Sequence, residues 1–143
     1  MVVKLKKAYG GVCFMTTFLV GQHLVFSDIE RIQRKTSFDQ DYMEYWFNEE
    51  HQKAMGDDLA PLGYPDDGNG RYIKNKEYPV WYFMNVSKRI KNNNTESLTM
   101  VAPLSLVNGL FQPYPTIGLL IAYVLGRNFY TQGYMEKEGV QNW

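Results

Sequence analysis

Two long stretches of the chain contain no charged residue. One covers residues 8–27, and the other covers residues 97–126, thirty positions without Asp, Glu, Lys or Arg. About twenty apolar residues are enough to cross the hydrocarbon core of a bilayer. The second stretch is too long for one crossing, and residues 112–115 interrupt it because proline lacks the amide proton that a helix needs. The pattern therefore predicts a helical hairpin that turns at residues 112–115.

These stretches predict an all-α fold, an integral membrane up-and-down helical bundle with about three transmembrane helices. The whole chain, residues 1–143, is predicted to form a single membrane domain. The tyrosines and tryptophans of the polar segment between the first two helices fit either a membrane-interface belt or an apolar cluster that caps the bundle. The predicted bounds are about 9–35 for helix I, 36–78 for the polar segment, 79–111 for helix II and 116–136 for helix III.

A soluble helical binding module is the alternative to a membrane protein. Gln22, His23 and Asn108 dilute the apolar stretches, so both stretches could instead form very apolar core helices. This reading requires water, and not lipid, to surround the folded chain.

The first residues have the character of a signal anchor. Lys4, Lys6 and Lys7 precede the first apolar stretch, and no small-x-small cleavage site follows it, so we expect the segment to be retained. The expected location is the mitochondrial inner membrane or the endoplasmic reticulum, with the mitochondrion slightly favoured.

The composition excludes several classes of function. Fifteen basic and fifteen acidic side chains give a formal net charge of zero, so no overall field attracts nucleic acid, and none is expected as a partner. The one cysteine, Cys13, excludes an internal disulfide and cannot by itself form a zinc site. Within an apolar helix we expect Cys13 to be an inert buried thiol. No metal site is predicted.

The loop at residues 64–72 superficially resembles a calcium-binding loop. If Gly70 occupies the glycine position of an EF-hand, the first and last ligand positions fall on Pro65 and Lys76, and neither can bind the ion. The segment is instead expected to form a turn that glycine permits, with Asp66 and Asp67 as solvated charges.

Two of the predicted helices carry polar side chains on one face. The spacings are i, i+4, i+7 on helix II and i, i+3, i+7 on helix III, which place each set in a stripe. Charged groups near hydrocarbon usually face a partner or a polar cavity. The stripe residues are Arg89, Asn93 and Glu96 on helix II, and Arg127, Tyr130 and Tyr134 on helix III.

Spacing alone leaves the role of these stripes open. Glu96 could simply pair with Arg89 or Arg127 across helices, without any ligand. The asparagine run at residues 92–94 is unusual inside a helix, so a reason other than helix propensity is expected for it.

The two stripes also carry a resemblance to a known family. Residues 89–96, RIKNNNTE, resemble the R-x-x-x-N-x-x-E signature of the second helix in the MAPEG family, the membrane-associated proteins in eicosanoid and glutathione metabolism. Residues 126–134, GRNFYTQGY, are similar to the G-R-x-x-Y-x-x-G-Y run of the third helix in microsomal glutathione transferases.

The resemblance implies a four-helix bundle that forms a homotrimer, with glutathione bound between neighbouring protomers. Arg89 and Asn93 would then hold carboxylate and peptide groups of the tripeptide, and Glu96 would pair with its α-ammonium group. Tyr130 and Tyr134 would add hydroxyl contacts beside Arg127. Glutathione is thus a possible ligand, and no cofactor is required.

The chain also departs from the family pattern. In members of the leukotriene synthase type, an arginine about two turns after the second tyrosine lowers the pKa of the glutathione thiol. Gln141 occupies that position here, and Lys137 is the nearest possible substitute. A fourth helix is also expected to be missing, so other membrane protein subunits would have to cover the bundle within the lipid bilayer.

Two functions follow from these features. The chain is expected to be a non-catalytic accessory subunit of a larger membrane assembly, with a mitochondrial respiratory assembly as one candidate. It is expected to keep a remnant glutathione pocket and to have no catalytic residue. The alternative is an active membrane-bound glutathione transferase or peroxidase in which another side chain activates the thiol.

Overall fold

The computed structural model describes residues 6–60 and 66–137, and within these residues it contains helices and no strands. The all-α prediction is therefore confirmed. In chain order the elements are α1 (Tyr9–Ser37), α2 (Gln40–Met43), a π-helix (Glu44–Asn48), α3 (Glu49–Met55), a 3₁₀ helix (Tyr72–Asn75), α4 (Tyr78–Phe111) and α5 (Pro113–Lys137).

The break between α4 and α5 lies where the proline pattern predicted a turn. Proline is favoured in the first turn of a helix, because its missing amide proton is not needed there. The side chain of Lys6 donates a hydrogen bond to the last carbonyl of α4, at Phe111, over 2.9 Å. At the start of α5, the Thr116 hydroxyl donates to the carbonyl of Gln112 over 2.7 Å. Side chains therefore satisfy polar backbone atoms on both sides of the break.

The chain divides into two compact units, Met1–Asp28 with Arg89–Trp143, and Ile29–Lys88. We call the first the three-helix unit, because α1, α4 and α5 all contribute to it, and the second the intervening unit. A buried apolar cluster forms the core of the three-helix unit. Gly109 lies so close to α1 that an added Cβ would approach Val12 within 2.7 Å. The buried core residues of this unit are Val12, Leu19, Leu120 and Val124.

The intervening unit has a separate core, rich in aromatic rings. Asp39 begins α2 by accepting a hydrogen bond from the Tyr42 backbone amide over 3.0 Å. The Tyr42 hydroxyl donates to the Tyr72 carbonyl over 2.6 Å. Tyr45 and Trp46 on the π-helix stay exposed. The polar segment thus contains an apolar cluster as well as exposed aromatic rings. Its buried core is Phe38, Met43, Phe47, Ile73 and Met84.

Asp66 organises the loop of the intervening unit. Its carboxylate accepts hydrogen bonds from three backbone amides, those of Gly68, Gly70 and Tyr72, over 2.7 to 2.9 Å. Asp66 is 6% exposed, so the expectation of a solvated charge at this residue is wrong. Gly68 has φ of 101°, the positive value that the predicted glycine turn requires.

The neighbouring carboxylate, Asp67, connects the same loop to α4. It forms an ion pair of 2.6 Å with Lys88. The Asp67 side chain is about half exposed, whereas that of Lys88 is largely covered.

The long helices expose many large apolar side chains. Helix α1 is long and apolar enough to span a membrane by length and composition, and it is the one helix of the described ranges that passes this test. That α4 and α5 also cross stays a prediction. A protein that is surrounded by water rarely exposes so many large apolar side chains. Examples that are at least half exposed are Phe14, Phe18 and Leu24 on α1, Met100 and Leu104 on α4, and Leu119 and Phe129 on α5.

Candidate functional site

Arg127 of α5 is held by two consecutive asparagines of α4. Its Nε donates to Asn94 Oδ1 over 2.7 Å, and both terminal nitrogens donate to Asn93 Oδ1 over 3.0 Å. Asn94 is 5% exposed and donates in turn to the Ile90 carbonyl over 3.0 Å. Asn94 is therefore fixed by its own helix before it meets the guanidinium group.

Aromatic rings surround the same guanidinium group. Its central carbon lies 5.1 Å from the ring centroid of Tyr130 and 5.8 Å from that of Tyr123. Tyr130 stacks on Tyr134, with centroids 5.7 Å apart and planes 26° from parallel. A cation over an aromatic face is attracted by the ring quadrupole. The polar stripe predicted for helix III therefore lies on α5 as one continuous contact series, in which Arg127 contacts Tyr130 and Tyr130 contacts Tyr134.

The charge of Arg127 has no carboxylate partner in the part of the chain that the structure describes. The suggested pairing with Glu96 is therefore not formed, and neutral amide oxygens take its place. A guanidinium group has five N–H donors in a planar fork. Each of its three nitrogens donates once to these asparagines, which leaves further donors for another acceptor. A carboxylate or another anion matches what remains.

Arg89 and Glu96 remain apart from this contact series. Both side chains are exposed on α4, and neither has a hydrogen-bond or ion-pair partner among the described residues. The structure thus joins four of the predicted site residues, Asn93, Arg127, Tyr130 and Tyr134, and leaves the other two open on α4.

Gln141 lies outside the described residues, and the same holds for the side chain of Lys137. Cys13 is exposed on α1, so the expectation of a buried thiol is wrong.

Sequence reasoning missed Asn94 as a member of the site. The polar stripe at residues 89, 93 and 96 lies on one face of the helix, and Asn94 lies outside that spacing. The available signal was the asparagine run at residues 92–94, which has poor helix propensity. Arg127 supplies the reason for the run, because two of its three members accept hydrogen bonds from this side chain.

Comparison with known proteins identifies the family. The model of the MAPEG family matches residues 42–143, well over half of the chain, and the match includes all the candidate residues. No curated protein and no solved structure gives a significant match. The chain therefore belongs to the MAPEG family, and it is an integral membrane helical-bundle protein.

Proposed function

We propose that this protein is a non-catalytic accessory subunit of a larger membrane assembly, and that it retains a glutathione pocket around Arg127. We infer the pocket from the environment of Arg127, whose guanidinium cation is held by neutral amides and aromatic rings. Desolvating a cation without an opposite charge is unfavourable. An anionic ligand at this position would remove that cost.

The chemistry of glutathione matches the polar groups of the three-helix unit. The tripeptide has two carboxylates and one ammonium group, so it needs two cationic partners and one acidic partner. Arg127 would hold one carboxylate, beside the Tyr130 and Tyr134 hydroxyls. Arg89 and Glu96, exposed on α4, would serve the second carboxylate and the ammonium group. On the exposed face of α4, both residues are placed to contribute to a site shared with a neighbouring subunit.

The non-catalytic part of the proposal depends on Gln141. Only the thiolate of glutathione is a good nucleophile, and its formation at neutral pH needs a positive group nearby. Gln141 is neutral, so it cannot stabilise the thiolate by charge. Binding without activation suits a structural subunit, for which the mitochondrial inner membrane is the favoured location.

An active glutathione transferase or peroxidase is the second candidate. The observation that favours it is the position of Tyr130, whose ring lies 5.1 Å from the Arg127 guanidinium carbon. A phenol beside a cation can donate a hydrogen bond to a thiolate and so take over the task of the missing arginine.

Native mass and a glutathione titration separate these functions. The protein is purified in mild detergent, its native particle is weighed, and glutathione is added while the thiolate absorbance is followed. We expect a particle with other subunits, saturable glutathione binding and no thiolate signal. Arg127→Gln should weaken binding about tenfold or more, because a charge-assisted hydrogen bond is lost. Arg71→Gln, at an exposed arginine that pairs with Glu50 in the intervening unit, is the matched control.

Two results would contradict the proposal. A homotrimer with a glutathione-dependent thiolate signal would establish the enzyme instead. Wild-type protein that binds no glutathione would remove the pocket altogether.

A further inference from the structure

A small cavity lies between the three long helices of the three-helix unit. Its volume is about 10 Å³, roughly the space that the centre of one water molecule needs. The cavity borders the candidate site, since Asn94 and Arg127 form part of its wall. Its lining is Leu19, Gln22, His23 and Phe26 from α1, Asn94 and Leu98 from α4, and Tyr123 and Arg127 from α5.

Two polar atoms of the cavity lining are buried without a partner. Neither His23 Nδ1 nor the Tyr123 hydroxyl has a hydrogen bond to any described residue. Buried polar groups in folded proteins nearly always find a protein or water partner, because an unsatisfied one retains its full desolvation penalty. Two such groups around one cavity therefore point to a shared ligand.

Neighbouring side chains are already engaged elsewhere. The amide nitrogen of Gln22 donates to the Val124 carbonyl over 3.0 Å, and Asn94 uses both ends of its amide on Ile90 and Arg127. The other ring nitrogen of His23 faces the Ser27 hydroxyl at 3.4 Å. These contacts use polar groups of the cavity wall that could otherwise serve as partners, so His23 Nδ1 and the Tyr123 hydroxyl are left without one.

We propose that the cavity binds one water molecule, which bridges His23 Nδ1 and the Tyr123 hydroxyl and so connects α1 with α5. Water both donates and accepts hydrogen bonds, so it satisfies either tautomer of His23 and either orientation of the Tyr123 hydroxyl. The cavity is too small for an organic ligand, and the adjacent Arg127 disfavours a cation. Gln22 lines the same cavity, and its amide oxygen is a further acceptor for the water.

Substitution of Tyr123 tests the bridge. If water is bound, Tyr123→Phe removes a satisfied hydroxyl, and the thermal midpoint of the full-length protein in detergent, without glutathione, should fall by about 2–4 °C. If the hydroxyl has no partner, the same change removes an unfavourable group, and the midpoint should stay constant or rise. Tyr114→Phe is the matched control, because Tyr114 lies on the same helix but is 76% exposed.

A direct measurement covers the case in which Tyr123→Phe fails to fold. In wild-type protein with ¹⁵N-labelled histidine, magnetisation transfer from water to the His23 imidazole should show a long-lived bound water, and His51→Gln assigns the second histidine signal. Absence of this transfer overturns the proposal, as does a constant or raised midpoint in Tyr123→Phe. Neither measurement uses glutathione. Both therefore still test the water bridge if the proposed glutathione pocket proves wrong.

Discussion

Asp66 and Arg127 are both charged side chains fixed by hydrogen bonds, but the bonding groups around them differ. Asp66 is surrounded by backbone donors, three amides that all point at its carboxylate. Arg127 is held by side-chain acceptors and keeps unused donors. The first arrangement completes the hydrogen bonding of a loop. The second leaves hydrogen-bonding capacity for a ligand.

Replacement of Asp66 by alanine should destabilise the intervening unit by about 2–3 kcal/mol, because three amides lose a charged acceptor. Hydrogen exchange checks this directly, since the amides of Gly68, Gly70 and Tyr72 should lose protection. Asp57→Ala is the control, because Asp57 is exposed and has no hydrogen-bond partner in the described ranges. If both variants lost equal protection, the Asp66 contacts would have no special role.

At the scale of elements, the ion pair between Asp67 and Lys88 connects the loop to α4. The hydrogen bond from Lys88 is the main cause that holds the pKa of Asp67 below its ordinary value of 3.8. A carboxyl whose pKa is lowered by folding stabilises the folded state above its unfolded pKa. This stabilisation is lost as the pH falls through the folded pKa.

The thermal midpoint of the intervening unit should therefore decline below about pH 4. Asp67→Asn should reduce this decline, because an amide does not titrate. The effect should be small, since more than half of the Asp67 side chain is exposed and solvent screens the pair. Melting curves of both proteins across this pH range make the comparison, and identical slopes would exclude a role for the pair.

The sequence predicted the positions of the three long helices best, because proline and long uncharged stretches restrict where such helices can begin and end. Proline and the absence of charge placed the three long helices, whose observed ends differ from the predicted ones by a few residues at most. The intervening unit was not predictable in detail, because it depends on contacts between residues far apart in the chain, such as the Tyr42 hydroxyl with the Tyr72 carbonyl. Asn94 was missed for the same reason, since its partner lies 33 residues away.

At the scale of the whole molecule, the length of α5 is consistent with a complete membrane crossing. Its 25 residues correspond to about 37 Å at 1.5 Å per residue, against a hydrocarbon core of about 30 Å. Exposed apolar side chains cover much of its surface, including Leu119, Leu125 and Phe129.

Site-directed labelling tests this crossing. In a Cys13→Ser background, which removes the one native cysteine, Gln112→Cys and Glu136→Cys mark the two ends of α5. A membrane-impermeant maleimide should label these positions from opposite faces of sealed vesicles, because a spanning helix places its ends on different sides. The Cys13→Ser protein without added cysteine is the control. Labelling of both positions from one face would mean that α5 does not cross.

The way in which Arg127 is held has a consequence for the pairing of α4 with α5. Its guanidinium group meets side chains at two consecutive positions of α4, Asn93 and Asn94. Because consecutive helix positions point about 100° apart, a slip of α5 along α4 would break at least one of the two contacts. The asparagine pair therefore fixes the register in which the two helices meet.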